Sequence, residues 1–384
     1  MLSDRFIKFF TIWTNWIACP IGAVPFRFDK GKRLVFTNFS IQRKPLRMWI
    51  FLAANNVLLI GSVLHPKNRD VTYFNELYSG WVINSICVLV LGSLALQAQP
   101  VCFTYNSTIT FLKRFKESFM PNYNANECRL NSKIDFHCSL IACVSVAIAT
   151  METTYYIMLA RDTPLYLTYY IPEKYYIAPV IIVSLVLHAF VFFNITVHLG
   201  NAAVLSISVS VHAFQIVSKD INCTLRNHTY RTMDSLRTGK NMRITYRTLQ
   251  LLLTIFLESA GKILYPMNWL MLKMVTFMGG MVIKHGHKME PLVFNLTICW
   301  VLFGLVMWGG CLEMNGRLFL YSQRAINSWK YHDWEGEGKV MSKFRKSCKP
   351  LKMGYHNFFS IKRLSVLNFF KSVARNIFKA IVAL

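Results

Sequence analysis

The sequence predicts an all-α membrane protein of seven transmembrane helices, N-terminus cytosolic and C-terminus extracellular, with helical extensions on the cytosolic side. Three observations predict it. Seven stretches reach the length of about 20 mostly apolar residues that a bilayer demands. Lys and Arg alternate between the gaps, 32 in the four segments assigned inside against 6 in the three outside, and such a bias orients membrane chains. Hydrophobic residues make up 54% of the chain and aromatics 14%, a composition suited to lipid and not to a soluble core.

Residues 1–46 read as a cytosolic N-terminal segment and 47–384 as the membrane domain. In Met1–Ala23, Arg5 and Lys8 precede FFTIWTNWIA, which allows a short signal peptide or an amphipathic surface helix. Thr11, Thr14 and Asn15 interrupt the apolar run, and Trp13 and Trp16 suit a headgroup boundary, so the surface helix is the better reading. Pro20–Lys44 reads as irregular connecting chain. The spans follow at Arg47–Leu64, Tyr78–Tyr105, Phe136–Ala160, Tyr176–Val197, Ile263–Ile283, Pro291–Asn315 and Leu364–Leu384. After the fourth span, apolar and small residues run on through Leu199–Val217, and the pattern of the fifth begins early, near Tyr246. Both overshoots fall inside and predict a cytosolic anchor over residues 199–262, a natural place for subunits to meet. Residues 317–363 read as a long basic loop, because Gly336 and Gly338 interrupt any helix there.

Several function classes are excluded. The net charge of +25 is spread over four cytosolic segments, so positive-inside sorting and contact with anionic inner-leaflet lipid explain it without nucleic acid. None of the ten cysteines lies in an outside loop, so no extracellular disulfide framework is expected. The sequons at Asn38, Asn106, Asn222 and Asn227 also fall inside or at the inner end of a span. No P-loop, G-x-S-x-G or HExxH is present, and His285 and His287 read as a solvated turn. No catalytic residue, cofactor or metal is expected.

Charges within spans usually face protein or water, because lipid exposure costs a few kcal/mol. Glu152, Tyr155 and Tyr156 late in the third span, Lys273 in the fifth, and Tyr166 and Tyr169 in the external loop are candidates to line a ligand cavity. Packing between helices is the alternative. Glu258 and Lys262 are spaced to pair on one helix face.

A G-protein-coupled receptor fails on orientation and on motifs, since D-R-Y and N-P-x-x-Y are absent and Leu302 stands where C-W-x-P needs proline. A secondary transporter would show repeated broken helices, and no such pair is found. Three pieces carry a resemblance instead: YRTLQLLLTIFLESAGKILYP (Tyr246–Pro266), the sixth span with its polar exit SQRAINSW, and KPLKMGYHNFFSIKRLSVLNFFKS (Lys349–Ser372). With the helix count and orientation, they resemble the arthropod gustatory and odorant receptor superfamily, on its gustatory side.

The resemblance implies a plasma-membrane chemoreceptor: a ligand-gated cation channel of four related subunits, homomeric or heteromeric, opened by a small organic ligand. It also implies that the last helix lines the pore, with Lys371, Arg375, Ile377, Phe378 and Lys379 as pore-helix candidates. The chain departs from the gustatory pattern there. SVARNIFKAIVAL lacks the tyrosine and glutamine of that pattern, and Lys371, Arg375 and Lys379 form one cationic stripe. That leaves three alternatives: a stripe turned away from the pore, a pore of altered selectivity, or a non-conducting member of the fold.

Overall fold

The computed structural model describes residues 12–29, 34–65, 71–120, 147, 150–151, 172–175, 177–205, 212–223, 230, 232–289, 291–355 and 359–383. All but three residues of the predicted third span, and the pocket candidates Glu152, Tyr155, Tyr156, Tyr166 and Tyr169, lie outside the described residues.

The N-terminal segment is packed protein, not loose connecting chain. A π-helical turn, Trp13–Ala18, leads into a ribbon of β1 (Arg27–Asp29) and β2 (Leu34–Phe36), antiparallel with Phe28 opposite Val35. Asn15 holds the ribbon from one side: its side-chain amide donates to Phe28 O, and its Oδ1 accepts from Phe28 N–H, both at 2.8 Å. Trp13, Val24, Phe26 and Phe28 are buried in a small core with Tyr105 and Val197, so this segment is bolted to the helices. Trp16 remains exposed, as a headgroup-level tryptophan would be.

Helix α1 (Phe39–Leu64) is capped by Asn38, whose Oδ1 accepts from Ile41 N–H at 2.9 Å. It packs along α2 (Val71–Leu96). The predicted second span does not continue to Tyr105. It breaks at Gln97 and restarts as α3 (Ala98–Phe119), because Pro100 lacks an N–H and its ring collides with the carbonyl four residues earlier, at Leu96. Helix α4 (Ala178–Leu205) and the short α5 (His212–Asp220) follow.

Helix α6 (Gly239–His285) begins before Tyr246, and its axis turns by 61° between its Gly239–Ser259 and Gly261–Lys288 parts. Pro266 explains the bend, since proline frees a carbonyl one turn earlier, next to the small Ser259 and Gly261. Helix α7 (Pro291–Ser328) extends well past Asn315, so the predicted basic loop is folded in large part. Its middle is α8 (Gly338–Ser347), and a second ribbon, β3 (Gly354–Tyr355) with β4 (Phe359–Ser360), precedes α9 (Ser365–Ala383).

Four helices are long and apolar enough to cross a membrane, α1 and parts of α2, α4 and α7, and the bent α6 makes a fifth among the described residues. Helix α9 has the length, but its three cations keep it outside that set. The outer faces fit lipid: Ile182, Val183 and Val186 of α4 and Val57 and Leu58 of α1 are exposed. Polar side chains within these helices mostly turn back on their own backbone. Thr196 Oγ1–H donates to Phe192 O at 2.5 Å and Thr297 Oγ1–H to Val293 O at 2.8 Å, which satisfies them without water.

Below the spans, α3, α5, the first half of α6, the end of α7 and α8 form a helical bundle. The SQRAINSW segment lies at its centre. Ser322, Ala325 and Ser328 are buried along one face of α7, and Trp329, just past its end, is buried beside them. The Trp329 ring meets Tyr246 edge-on at 5.1 Å while its Nε1–H donates to Ile221 O at 2.9 Å. Trp334 is buried too and donates to Trp329 O. Glu335 and Gly336, both at positive φ, turn the chain into α8, where Glu337 meets Arg243 at 2.9 Å. Burial raises the thiol of Cys223 to about 11.

Candidate functional site

Aromatic side chains gather at the outer end of the bundle. Phe74, Tyr78 and Trp81 recur at i, i+4 and i+7 on α2, so a helix puts all three on one face. Phe277 of α6 closes against them, its ring 4.4 Å from Tyr78 and 6.4 Å from Phe74. The Tyr78 and Trp81 rings are 5.5 Å apart. Within the cluster, the buried Trp81 Nε1 has no hydrogen-bond partner among the described residues, nor does the buried Oγ1 of Thr276, the residue before Phe277. Packed aromatic rings beside an unengaged indole N–H offer the chemistry that a small, neutral organic molecule uses.

This cluster was not among the residues singled out from sequence. Its signal was present as the i, i+4, i+7 spacing of aromatics, but Phe277 joins only through tertiary packing. Lys273 is exposed on α6, its Nζ 5.6 Å from the Trp269 ring centroid, a cation–π arrangement. His285 ends α6 and His287 sits in a 3-10 turn, the external turn read from sequence.

The last helix has two different sides. Phe369, Val373 and Ile377, one turn apart, face the protein, and α9 lies against α6 and α7. Glycines permit the approach: a Cβ at Gly279 would stand 2.8 Å from Ile377 Cδ1, and one at Gly309 2.9 Å from Phe370 Cζ. Of the pore-helix candidates, Ile377 therefore turns inward. Lys371, Arg375 and Lys379 are all exposed, and Phe378 shares the outer side with Leu367 and Ala374 in an apolar strip that Lys371 borders directly. No acid among the described residues pairs with the three cations.

Comparison with known proteins gives a whole-chain match. No family model matches the sequence, and no curated protein matches it either. Among solved structures, the insect olfactory receptor OR5 from Machilis hrabei superposes with a TM-score of 0.67 at 10% identity, covering 99% of both chains. Its complex with eugenol superposes with a TM-score of 0.69 at 11% identity, covering 99% of this chain and 97% of the other. The fold is that of these receptors, in keeping with the chemoreceptor resemblance and the seven-helix reading.

Proposed function

We propose that the protein is a chemosensory receptor of the plasma membrane, a subunit of a tetrameric cation channel that opens when a small organic compound binds. The supporting observation is the likeness to OR5 along nearly the whole chain, where one of the two structures is a complex with a small organic molecule. The ligand lies in the outer half of the bundle, against Tyr78, Trp81 and Phe277. The buried cytosolic bundle around Trp329 holds subunits together. Four copies of α9 surround the ion path, presenting the Leu367–Ala374–Phe378 strip with Lys371 at its edge, and Arg375 and Lys379 lie to one side. The reading assigns the chain no catalysis.

The stripe itself favours a second reading, a non-conducting member of the same fold, since three cations per subunit oppose cation flow. Epitope tags at each end, probed in intact and permeabilised cells, test the orientation first. An internal N-terminus with an external C-terminus supports the channel reading, and ligand-evoked current in cells expressing the chain completes it. An internal C-terminus removes the pore helix and the channel with it. Ligand binding without current, alone or with a partner subunit, selects the non-conducting reading.

A further inference from the structure

A groove of about 840 Å³ runs between the cytosolic half of α6 and the strap Lys349–Tyr355, with Phe359 and Ser360 of the second ribbon also lining it. Its charge is one-sided: Arg247, Lys262, Lys349 and Lys352 line it, with Glu258 the sole acid among the described residues. Elsewhere in the cytosolic region cations find acids, as Arg243 finds Glu337, Arg237 Asp234 and Arg317 Glu313. These four have no acid within 4 Å among the described residues, and the Glu258–Lys262 pair that their spacing allows does not form.

The cations are mounted on fixed backbone. Arg247 donates from Nη1 to Gln250 Oε1 and from Nη2 to Ser347 Oγ, both at 2.8 Å, so neutral acceptors orient its guanidinium and leave its charge uncompensated. The Lys349 carbonyl accepts from Tyr246 O–H at 2.7 Å and from Gln250 Nε2–H at 3.1 Å. Leu351 and Met353 are buried on either side of Lys352, and Leu351 N–H donates to Ser322 Oγ at 2.9 Å. Two lysines therefore project from a strap that is already ordered, which lowers the entropy lost on binding.

The groove also has an apolar wall, with Leu251, Leu257 and Phe359. Its upper end, Lys262, lies next to the bend where the fifth span begins. A basic, partly apolar groove at the inner membrane boundary is complementary to a headgroup bearing several phosphates and still joined to its acyl chains.

We propose that this groove binds the phosphorylated headgroup of an anionic inner-leaflet phospholipid of the phosphoinositide class. The proposal rests on the cytosolic placement of the groove and not on ion conduction, and the test reads lipid binding without current. Full-length protein in phosphatidylcholine nanodiscs is titrated with fluorescent phosphatidylinositol bisphosphate. A Lys262→Gln, Lys349→Gln, Lys352→Gln variant is compared with Lys339→Gln, Lys343→Gln, Lys346→Gln, which removes equal charge from α8 outside the groove.

At about fivefold per cation, the groove variant weakens lipid binding about a hundredfold. The α8 variant changes it only a few-fold, and soluble inositol hexakisphosphate competes poorly. Equal losses in the two variants would mean diffuse attraction and overturn the site. Soluble competition as strong as lipid binding would assign the groove to a free organic phosphate instead. Loss of the oligomer on gel filtration with lipid binding intact would make it a subunit contact. Should the triple variant fail to fold, the single Lys352→Gln change, at an exposed side chain, carries the same comparison against Lys343→Gln.

Discussion

Replacing Gly92 by alanine tests the packing that sets α2, and with it the aromatic cluster, against α1. A Cβ at Gly92 would lie 2.5 Å from Trp49 Nε1 and 3.1 Å from Cδ1 and Cε2. Comfortable separation is about 3.5 Å or more, so the indole must retreat by roughly 1 Å. It is not free to do so, because Nε1–H donates to Val88 O at 3.1 Å. Losing that bond costs about 1 kcal/mol and overpacking about 1–3 kcal/mol, while the better helix propensity of alanine returns about 1 kcal/mol. The net is a destabilisation of about 1–3 kcal/mol. In a Trp49→Leu background the obstacle is gone, and the same change becomes neutral or slightly stabilising. Gly310 is the control: no atom stands within 4 Å of its Cβ position, so alanine there stabilises by about 0.5–1 kcal/mol. Thermal unfolding of the purified variants, read as the surviving fraction on gel filtration, gives all the terms. The reasoning fails if Gly92→Ala is harmless beside Trp49, or if it is equally harmful in the Trp49→Leu background.

The remaining expectations concern the proposed site, the last helix and the cytosolic bundle. Trp81→Phe removes a buried donor that has no partner among the described residues, so folding stability holds while ligand potency falls about tenfold, read as evoked current against concentration. Replacing Lys371, Arg375 and Lys379 together with Gln leaves the reversal potential in place if the stripe lies beside the ion path. Under a tenfold salt gradient, a move towards the opposite limit of about 59 mV would put the stripe in the pore. Burial raises the Cys348 thiol from 9.0 to about 11, against the opposing pull of Arg247, so the lower thiolate fraction, partly offset by a more nucleophilic thiolate, makes maleimide labelling at neutral pH about tenfold slower than for an unperturbed thiol. The sign for stability follows: the fold favours the neutral thiol, so its contribution is intact below pH 9 and is lost as pH rises towards 11.

Much of the architecture was legible because hydropathy and charge act locally. The overshooting spans became the cytosolic bundle, and SQRAINSW turned out to be its buried centre. What sequence reading missed has local or long-range causes that hydropathy does not register. The apolar run through Gln97 conceals a break whose true marker is Pro100. Helix α8 is two-sided but fully buries Met341 alone, and Lys and Arg make it so polar overall that it disappears within a basic segment. Gly336 did mark a turn, but it separates two ordered elements. Asn15 looked like an interruption and Asn106 only like a sequon until the ribbon supplied their partners. The aromatic cluster was half visible on α2, and only packing joined Phe277 to it.

The sequons acquire a meaning in the folded chain. Asn38 caps α1, and Asn222 is buried with its carbonyl accepting from Tyr230 O–H. Asn106 clamps β2, its Oδ1 accepting from Val35 N–H at 2.9 Å and its amide donating to Val35 O at 2.8 Å. A sugar on Asn38 or Asn106 would occupy the amide nitrogen and crowd the cap or the clamp. A chain inserted upside down during biosynthesis would present these asparagines to the oligosaccharide transferase before the fold could close around them. A glycan at Asn38 or Asn106 and the native contacts of that side chain therefore exclude one another. A glycosidase-sensitive mass shift is then expected only in protein that has not reached the native fold.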